Sequence, residues 1–222
     1  MDLQVCVLAA GQGKRMRSEK PKVLHQLAHK ALVEHVLDTA SEVSDQTPIV
    51  IYGHAGDQLK RALAARAITW VEQAEQLGTG HAVNQCLTAI SEDSMTLILY
   101  GDVPLTKAVT LTQLVSAAEK TGFALLTVIM DDPTGYGRIV RNETNEIVAI
   151  VEHKDATPEQ LKITEVNSGI MAVNSKYLHQ WIPSLGNDNA QGEYYLTDCV
   201  ALAVSEGKSV AGVIANNAAE VT

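Results

Sequence analysis

Short apolar runs alternate with amphipathic segments along the first 130 residues of this chain. The apolar runs predict buried strands over residues 5–8, 49–52, 68–71, 95–100 and 124–130. Apolar residues at helical spacing predict helices over residues 31–43, 81–90 and 110–120, and another that starts at Asp57 as its N-cap and ends near residue 66. Strands that alternate with helices on short loops are typical of an α/β fold with a doubly wound, mostly parallel sheet.

The pattern changes after Asp131, where a β-rich stretch begins. Alternating positions around a polar turn predict a hairpin over residues 138–141 and 146–151. Further along, the pattern predicts a short helix at 158–162, a strand at 165–173, helices at 175–181 and 195–206, and a last strand at 209–214. We expect the middle part to form a smaller β-rich lobe that folds over the sheet as a second layer. It would then be the other wall of a cleft.

Composition narrows the class of protein. The 222 residues are 46% hydrophobic, which is ample for one domain with a large core. The mean hydropathy is +0.02 and no apolar run approaches the roughly 18 residues of a membrane span, so we expect no membrane partner. A net charge of -9 and a pI near 5.2 argue against nucleic acid. No signal peptide fits before the first strand, and three widely spaced cysteines predict buried thiols in a cytoplasmic protein.

The first strand leads into a glycine-rich turn, LAAGQGKRMR at residues 8–17. It fails the dinucleotide-binding pattern because Met16 replaces the third glycine, and it fails the P-loop pattern because Arg15 follows Gly-Lys. An ordinary tight turn is the alternative. In a chain of net charge -9, however, a local cluster of cations favours a polyphosphate site built from backbone N–H groups and side chains. The cations are Lys14, Arg15, Arg17, Lys20 and Lys22.

Two more loops are predicted to lie beside this turn, because ligands of open α/β sheets bind outside the carboxyl ends of the strands. In the loop at 101–106, Asp102 is suited to bind Mg²⁺, the alternative being a helix or loop cap. In the loop at 73–80, the Gln73 amide can both donate and accept a hydrogen bond, while Gly78 lets a ligand approach the backbone closely. The alternative for this loop is a polar surface segment.

Polar residues also interrupt apolar surroundings in the β-rich part. Without further information, Glu152 and Asn167 are interpreted as hydrogen-bond partners of buried backbone. The histidines show no metal-binding spacing, and no Ser-His-Asp or Cys-His arrangement is evident. Covalent catalysis is therefore not indicated.

Several of these stretches together resemble one family. LAAGQGKRM followed by PKVL, QAEQLGTGHA at 73–82, YGDVPL at 100–105 and AQGEYYLTD at 190–198 resemble sugar-nucleotide pyrophosphorylases. They are most similar to the N-terminal half of the bifunctional bacterial N-acetylglucosamine-1-phosphate uridyltransferases, and the resemblance covers essentially the whole chain. It implies that UTP and N-acetyl-α-D-glucosamine 1-phosphate give UDP-N-acetylglucosamine and diphosphate, with Mg²⁺ as cofactor, for peptidoglycan and lipopolysaccharide precursors. It also implies a Rossmann-like nucleotide-diphospho-sugar transferase fold.

The resemblance also assigns site residues. It implies catalytic roles for Arg15 and Lys22 on the triphosphate and for Asp102 as the Mg²⁺ ligand. Gly137, Glu152 and Asn167 would surround the N-acetylglucosamine ring. The complete implied substrate-binding set is Leu8, Ala9, Ala10, Gly11, Gly13, Lys22, Gln73, Gln76, Gly78, Thr79, Tyr100, Gly101, Asp102, Gly137, Glu152 and Asn167.

This sequence departs from the family in one respect. Family members carry a second metal ligand, an asparagine that aligns just after Thr222, and Asn216 and Asn217 align too early to replace it. They also continue into a left-handed β-helix with acetyltransferase activity. We expect one nucleotidyltransferase domain over residues 1–222 without that β-helix, as a monomer or weak dimer where complete members are trimers. The alternatives are a nucleotidyltransferase for another base or sugar, and a sugar-nucleotide sensor or weakly active binding fragment.

Overall fold

The computed structural model describes residues 1–11, 20–54 and 56–221. The strands within these ranges are β1 Leu3–Ala9, β2 Gln26–Leu27, β3 Lys30–Ala31, β4 Ile49–Tyr52, β5 Thr69–Glu72, β6 Met95–Tyr100, β7 Phe123–Ile129, β8 Arg138–Arg141, β9 Ile147–Val151, β10 Glu165–Asn174 and β11 Ala211–Ile214. The helices are α1 Leu32–Val43, α2 Gly56–Ala62, α3 Thr79–Cys86, α4 Ala108–Thr121, α5 Ser175–Trp181 and α6 Asp198–Ser205.

One mixed sheet organises the described residues, with its main strands in the order β11-β7-β10-β6-β1-β4-β5. Strands β5, β4, β1 and β6 are mutually parallel, and so are β7 and β11. Strand β10 lies between β6 and β7 and runs antiparallel to both. The predicted α/β fold with a mixed, mostly parallel sheet is confirmed. Because the parallel strands begin on one side, their carboxyl ends form one edge of the sheet.

Helices cover both faces of this sheet and bury two apolar cores. Helices α1 and α4 pack on one face, where Val33 and Leu114 are fully buried. Helices α3, α5 and α6 pack on the other, with Val83 and Trp181 among the buried side chains. Strands covered on both faces become apolar at nearly every position, which explains the continuous apolar runs in the sequence.

The β-rich middle part is continuous with the main sheet, so the expectation of a separate layer folded over it is wrong. Strand β10 supplies the connection: its second half pairs with β6, and Val166 in its first half pairs with Arg138 of β8. Strands β8 and β9 form the predicted hairpin. The register of β10 against β7 shifts between Asn167 and Met171. Such a bulge bends the strand, and the smaller lobe therefore grows out of the sheet itself.

Some predicted boundaries also need correction. The predicted helix at 195–206 starts only at Asp198, because the backbone before it bonds to the loop at 73–80. The strand predicted at 209–214 is the shorter β11, and the helix predicted at 81–90 is α3 followed by a 3-10 turn. The helix predicted to reach residue 66 ends at Ala62, and Asp57 lies in its first turn instead of preceding it. The segment predicted as a short helix at 158–162 is a 3-10 turn, Gln160–Lys162.

The described residues confirm the prediction of buried thiols. Cys6, Cys86 and Cys199 are free and buried, and the sulfur atoms of Cys6 and Cys86 are 3.3 Å apart. Burial raises the pKa of Cys199 to about 12, so this thiol stays protonated at neutral pH. Throughout residues 1–11, 20–54 and 56–221, each helix is too short or too polar to cross a bilayer.

Candidate functional site

The three predicted loops meet around one cavity at the carboxyl edge of the sheet. Its volume is about 610 Å³, within the usual range for small-molecule sites. The walls come from the residues after β1, β5 and β6, from the start of α3 and from the segment before α6. The lining residues in the described part of the chain are Leu8, Ala9, Ala10, Gly11, Lys22, Val23, Gln73, Gln76, Gly78, Thr79, Ala82, Tyr100, Asp102 and Glu193. The predicted residues Gly13 and Arg15 lie outside the described residues.

Lys22 and Asp102 both line the cavity and form an ion pair with each other. Asp102 follows β6 by two residues, and Lys22 begins a 3-10 turn held by buried Val23 and Leu24. Lys22 Nζ donates to Asp102 Oδ2 at 2.6 Å, and the two side chains keep 43% and 27% of their exposure. Gly101 joins the two loops: its N–H donates to the carbonyl of Leu8 at 2.9 Å. A cation and a carboxylate thus stand side by side and remain open to a ligand.

Gln73 is the buried polar residue of the second loop, with 3% exposure. Its amide nitrogen donates to the carbonyl of Gly78 at 3.0 Å and lies 3.1 Å from Nδ1 of His81. The prediction that this amide would both donate and accept toward a ligand therefore needs correction, because the nitrogen is engaged within the protein. The oxygen remains for a ligand in the cavity. Gln76 supports the loop by donating to the carbonyl of Gln73 at 3.0 Å.

The segment before α6 clasps this loop through backbone hydrogen bonds. Tyr194 N donates to the carbonyl of Leu77 at 2.8 Å, and Gly80 N donates to the carbonyl of Tyr194 at 2.8 Å. Leu196 N donates to the hydroxyl of Thr79 at 3.1 Å. Gly78 has φ +110 and ψ 175, and a Cβ there would meet the Tyr194 carbonyl oxygen at 2.6 Å. Only glycine suits this position, because both its conformation and its contact exclude a side chain.

Tyr100 lies between the cavity and the β-rich lobe. Its ring packs on Gly169, where a Cβ would lie 2.6 Å from the ring and where φ is +88. Asp102 and Glu152 both lie close enough to the hydroxyl to act electrostatically on it. Burial, and then these two carboxylates, raise the pKa of Tyr100 well above its ordinary value. The Tyr100 hydroxyl therefore stays neutral beside the two carboxylates.

The three residues predicted for the sugar lie together at this lobe. Asn167 N donates to the carbonyl of Gly137 at 2.8 Å, and a Cβ on Gly137 would lie 3.3 Å from Glu152 Oε1. The amide oxygen of Asn167 accepts from Gly169 N at 3.1 Å, so the alternative role as a partner of backbone is correct for that atom. Burial raises the pKa of Glu152. A hydrogen bond from the Thr197 hydroxyl acts in the opposite direction but does not outweigh the burial. A partly desolvated carboxylate in this position is suited to accept hydrogen bonds from hydroxyls.

Four residues of this region were not singled out from the sequence. Val23 and Ala82 are apolar, and their positions in the pattern indicate only core packing. Glu193 belongs to a stretch that the family resemblance marks as a whole, without indicating which side chain reaches the cavity. His81 was grouped with histidines that lack metal spacing, although its ring contacts Gln73.

The donor set at Asp102 suits Mg²⁺ held mainly by a substrate. Mg²⁺ typically takes one or two carboxylates and completes its shell with water and phosphate oxygens. Among the residues that the structure describes, no three His, Cys, Asp or Glu side chains cluster tightly enough to hold a metal without help. Asp102, a partly exposed carboxylate in the lining of the cavity, fits such a shared ion.

Comparison with known proteins agrees with this geometry. A family model, the MobA-like NTP transferase domain, matches residues 5–161, which include all three cavity loops and the β8–β9 hairpin. The chain belongs to the MobA-like NTP transferase domain family. The motif-based resemblance is also confirmed along the whole chain. The bifunctional protein GlmU of Idiomarina loihiensis is 55% identical over 221 residues, which are 100% of this chain and 48% of that protein.

Two further relatives match the chain with similar identity and coverage. GlmU of Acinetobacter baumannii strain AYE is 53% identical across 100% of this chain and 48% of its own length. GlmU of Nitrosospira multiformis is 57% identical across 94% of this chain and 46% of its own length. The chain thus spans about half the length of the curated relatives it matches.

Solved structures share the NTP transferase fold at low sequence identity. A UDP-glucose pyrophosphorylase complexed with UDP-glucose superposes with a TM-score of 0.80 at 16% identity, covering 96% of this chain and 90% of that one. A putative glucose-1-phosphate thymidylyltransferase from Bacillus anthracis gives 0.75 at 20% identity, covering 96% and 87%. These structures establish the fold of the chain.

Proposed function

We propose that this chain transfers a uridylyl group from UTP to N-acetyl-α-D-glucosamine 1-phosphate, giving UDP-N-acetylglucosamine and diphosphate. The observation that carries the proposal is the convergence of three loops on one cavity. They bring a cation, a carboxylate and a buried amide to the carboxyl edge of a nucleotidyltransferase fold. Relatives more than 50% identical over the whole chain, all named as the bifunctional protein GlmU, support the choice of reaction.

The base is proposed to bind over Gln73 and Gly78. Uracil offers a carbonyl, an N–H and a second carbonyl along one edge. Because the amide nitrogen of Gln73 is engaged by Gly78 and His81, its oxygen is the atom that accepts from the uracil N–H. The glycine at position 78 lets the loop backbone pack closely against Tyr194, which supports a fixed position of this loop beside the base.

The triphosphate is proposed to lie over the first loop, against Leu8 to Gly11 and beside Lys22. An ammonium group has three N–H donors, and Asp102 takes one of them, so two remain for phosphate oxygens. Arg15 is proposed as the second cation on the same phosphates. Asp102 would hold Mg²⁺, which when bound neutralises phosphate charge and orients the triphosphate. A phosphate oxygen of the sugar phosphate attacks the α-phosphorus in line, and the bond to the bridging oxygen breaks to release diphosphate.

The sugar is proposed to bind in the β-rich lobe, against Gly137, Glu152 and Asn167. Asp102 and Glu152 both act electrostatically on Tyr100, which supports a sugar site next to the reacting phosphates. Glu152 would accept from ring hydroxyls, and the amide nitrogen of Asn167 would donate. No protein nucleophile is required, because positioning and charge neutralisation are sufficient for phosphoryl transfer of this type.

The remaining parts of the proposal concern the protein in its cell. We infer that residues 1–222 act as one nucleotidyltransferase domain and that the chain is a monomer or weak dimer. We also infer a cytoplasmic location and a role in making precursors of peptidoglycan and lipopolysaccharide. The family resemblance supports these statements, and a sedimentation measurement on the purified chain tests the oligomeric state.

Release of diphosphate is the experiment that tests the proposed reaction. Purified protein is mixed with Mg²⁺, N-acetylglucosamine 1-phosphate and each of UTP, dTTP and CTP, and diphosphate is measured with a coupled enzyme. We expect release with UTP and at least about tenfold less when glucose 1-phosphate replaces the acetylated sugar, because a missing hydrogen-bonding group leaves its partner unpaired. A preference for another base or sugar would identify a related transferase. Binding without turnover would identify a sensor or inactive fragment.

A further inference from the structure

His81 lies directly behind Gln73, on the first turn of α3, and both of its ring nitrogens face glutamine amides. Nδ1 is 3.1 Å from the amide nitrogen of Gln73, and Nε2 is 3.1 Å from the amide of Gln85. The ring is half-buried and lies against the ring of Tyr194, with 6.3 Å between centroids. His81 does not line the cavity, whereas Gln73 does.

The protonation of the ring follows from the carbonyl of Gly78. That carbonyl can only accept, and it accepts from Ala82 N at 3.1 Å as well as from Gln73 at 3.0 Å. The Gln73 side chain must therefore turn its NH₂ group, and not its oxygen, toward this carbonyl. The same NH₂ faces Nδ1, so Nδ1 must be the unprotonated, accepting nitrogen. The proton is then on Nε2, toward Gln85. To accept from Nε2, the Gln85 amide must be turned so that its oxygen faces the ring. This change loses only a weak 3.3 Å hydrogen bond from the Gln85 amide to the carbonyl of His81.

Both N–H groups of Gln73 are thereby assigned, and the orientation of its amide is locked. If the amide turned over, its oxygen would face the Gly78 carbonyl and the lone pair of Nδ1, both of which are acceptors. The oxygen consequently stays toward the cavity. An accepting oxygen suits the N3–H of uracil and opposes the N3 lone pair of cytosine, while thymine shares the uracil edge.

We propose that His81 is a specificity-determining positioning residue that locks the Gln73 amide and thereby selects uracil-type bases over cytosine. This inference rests on the proposed uridine site. It adds a residue that does not touch the nucleotide and that acts through the acceptor at Nδ1. The competing explanation is that the ring only fills space beside Tyr194.

Three variants separate these explanations. His81→Leu keeps an apolar side chain against Tyr194 but removes the acceptor. His81→Asn keeps an acceptor near the position of Nδ1, and Asn84→Leu changes an exposed residue of the same helix as a matched control. The dissociation constants of UTP and CTP are measured by isothermal titration calorimetry, so that the result does not depend on turnover. Thermal unfolding verifies that each variant is folded.

We expect the preference of the wild type for UTP over CTP to fall roughly fivefold in His81→Leu, as is typical for the loss of one neutral hydrogen bond. His81→Asn and Asn84→Leu should stay within about twofold of the wild type. An unchanged preference in His81→Leu, or equal losses in His81→Leu and His81→Asn, would overturn the role of His81. A wild type without preference for UTP would instead refute the proposed uridine site itself.

Discussion

Gly78 offers a sharp test of how the loop at 73–80 is built. Replacing it with alanine changes one methyl group, at a residue with φ +110 and ψ 175. The new Cβ would lie 2.6 Å from the carbonyl oxygen of Tyr194 and 2.9 Å from its nitrogen. Neither atom can withdraw easily, because the oxygen accepts from Gly80 and the nitrogen donates to Leu77.

Two costs add in Gly78→Ala. A non-glycine residue in this region of backbone conformation costs about 1–3 kcal/mol. An overpacked contact against fixed backbone adds about 1–3 kcal/mol. We therefore expect a loss of roughly 2–6 kcal/mol in the free energy of unfolding, together with weaker UTP binding because the backbone at Tyr194 has to shift.

Gly207→Ala is the matched control. Gly207 also has a positive φ, +70, but no heavy atom lies within 4 Å of its added Cβ. It should lose only about 1 kcal/mol, the conformational cost alone. Urea unfolding at constant pH gives both values, provided that the slope with denaturant is unchanged. If Gly78→Ala lost no more than Gly207→Ala, the contact with Tyr194 would not constrain the loop and the reasoning would be wrong.

Three further changes test other parts of the structure. Glu220→Ala removes the buried carboxylate that accepts a hydrogen bond from Lys107 N at the start of α4. The free energy of unfolding in urea should fall by about 1–2 kcal/mol, as it does when a helix cap is lost. Glu165 has a pKa below its ordinary 4.5, because hydrogen bonds, chiefly from Arg141, outweigh the effect of burial. Its contribution to stability is present above pH 4.5 and lost as the pH falls through the lowered value, so Glu165→Gln should flatten the acid limb of a stability–pH curve. Glu152→Gln should raise the melting temperature at pH 7, because burial raises this pKa, yet increase KM for the sugar phosphate; an unchanged KM would contradict its place at the sugar.

The location of the site was predictable because it follows from topology. Parallel strands deliver their carboxyl ends to one edge, so the residues after β1, β5 and β6 had to be neighbours whatever the details of packing. The pairing of Lys22 with Asp102 joins residues 80 positions apart, and it follows from that rule.

Other features have no signature in the side chains. The hairpin of β2 and β3 turns through Ala28 and His29, whose φ values are +49 and +67. Such turns are usually marked by glycine or asparagine, and neither is present here. The clasp at Tyr194 consists of backbone hydrogen bonds, which any residue can make. The reversed direction of β10 depends on connections that periodicity does not encode.

The contacts of Gln73 were predicted only in part. The sequence predicts an amide that donates to and accepts from a ligand, but it does not say which atoms of the amide are already engaged within the protein. That depends on the Gly78 carbonyl and on His81, a residue eight positions along on the next helix. Sequence spacing thus gives the residues of a loop, and the contacts between them determine the chemistry that they present.

Formation of labelled UDP-sugar tests the central claim most directly. UTP labelled at the α-phosphate is mixed with N-acetylglucosamine 1-phosphate and Mg²⁺, and product is followed for the wild type, Asp102→Asn and Glu92→Gln. Glu92 is an exposed carboxylate outside the cavity and serves as the control. We predict product from the wild type and Glu92→Gln, and a rate roughly 10²–10³-fold lower for folded Asp102→Asn. Equal rates for all three proteins would contradict uridylyl transfer at this cavity.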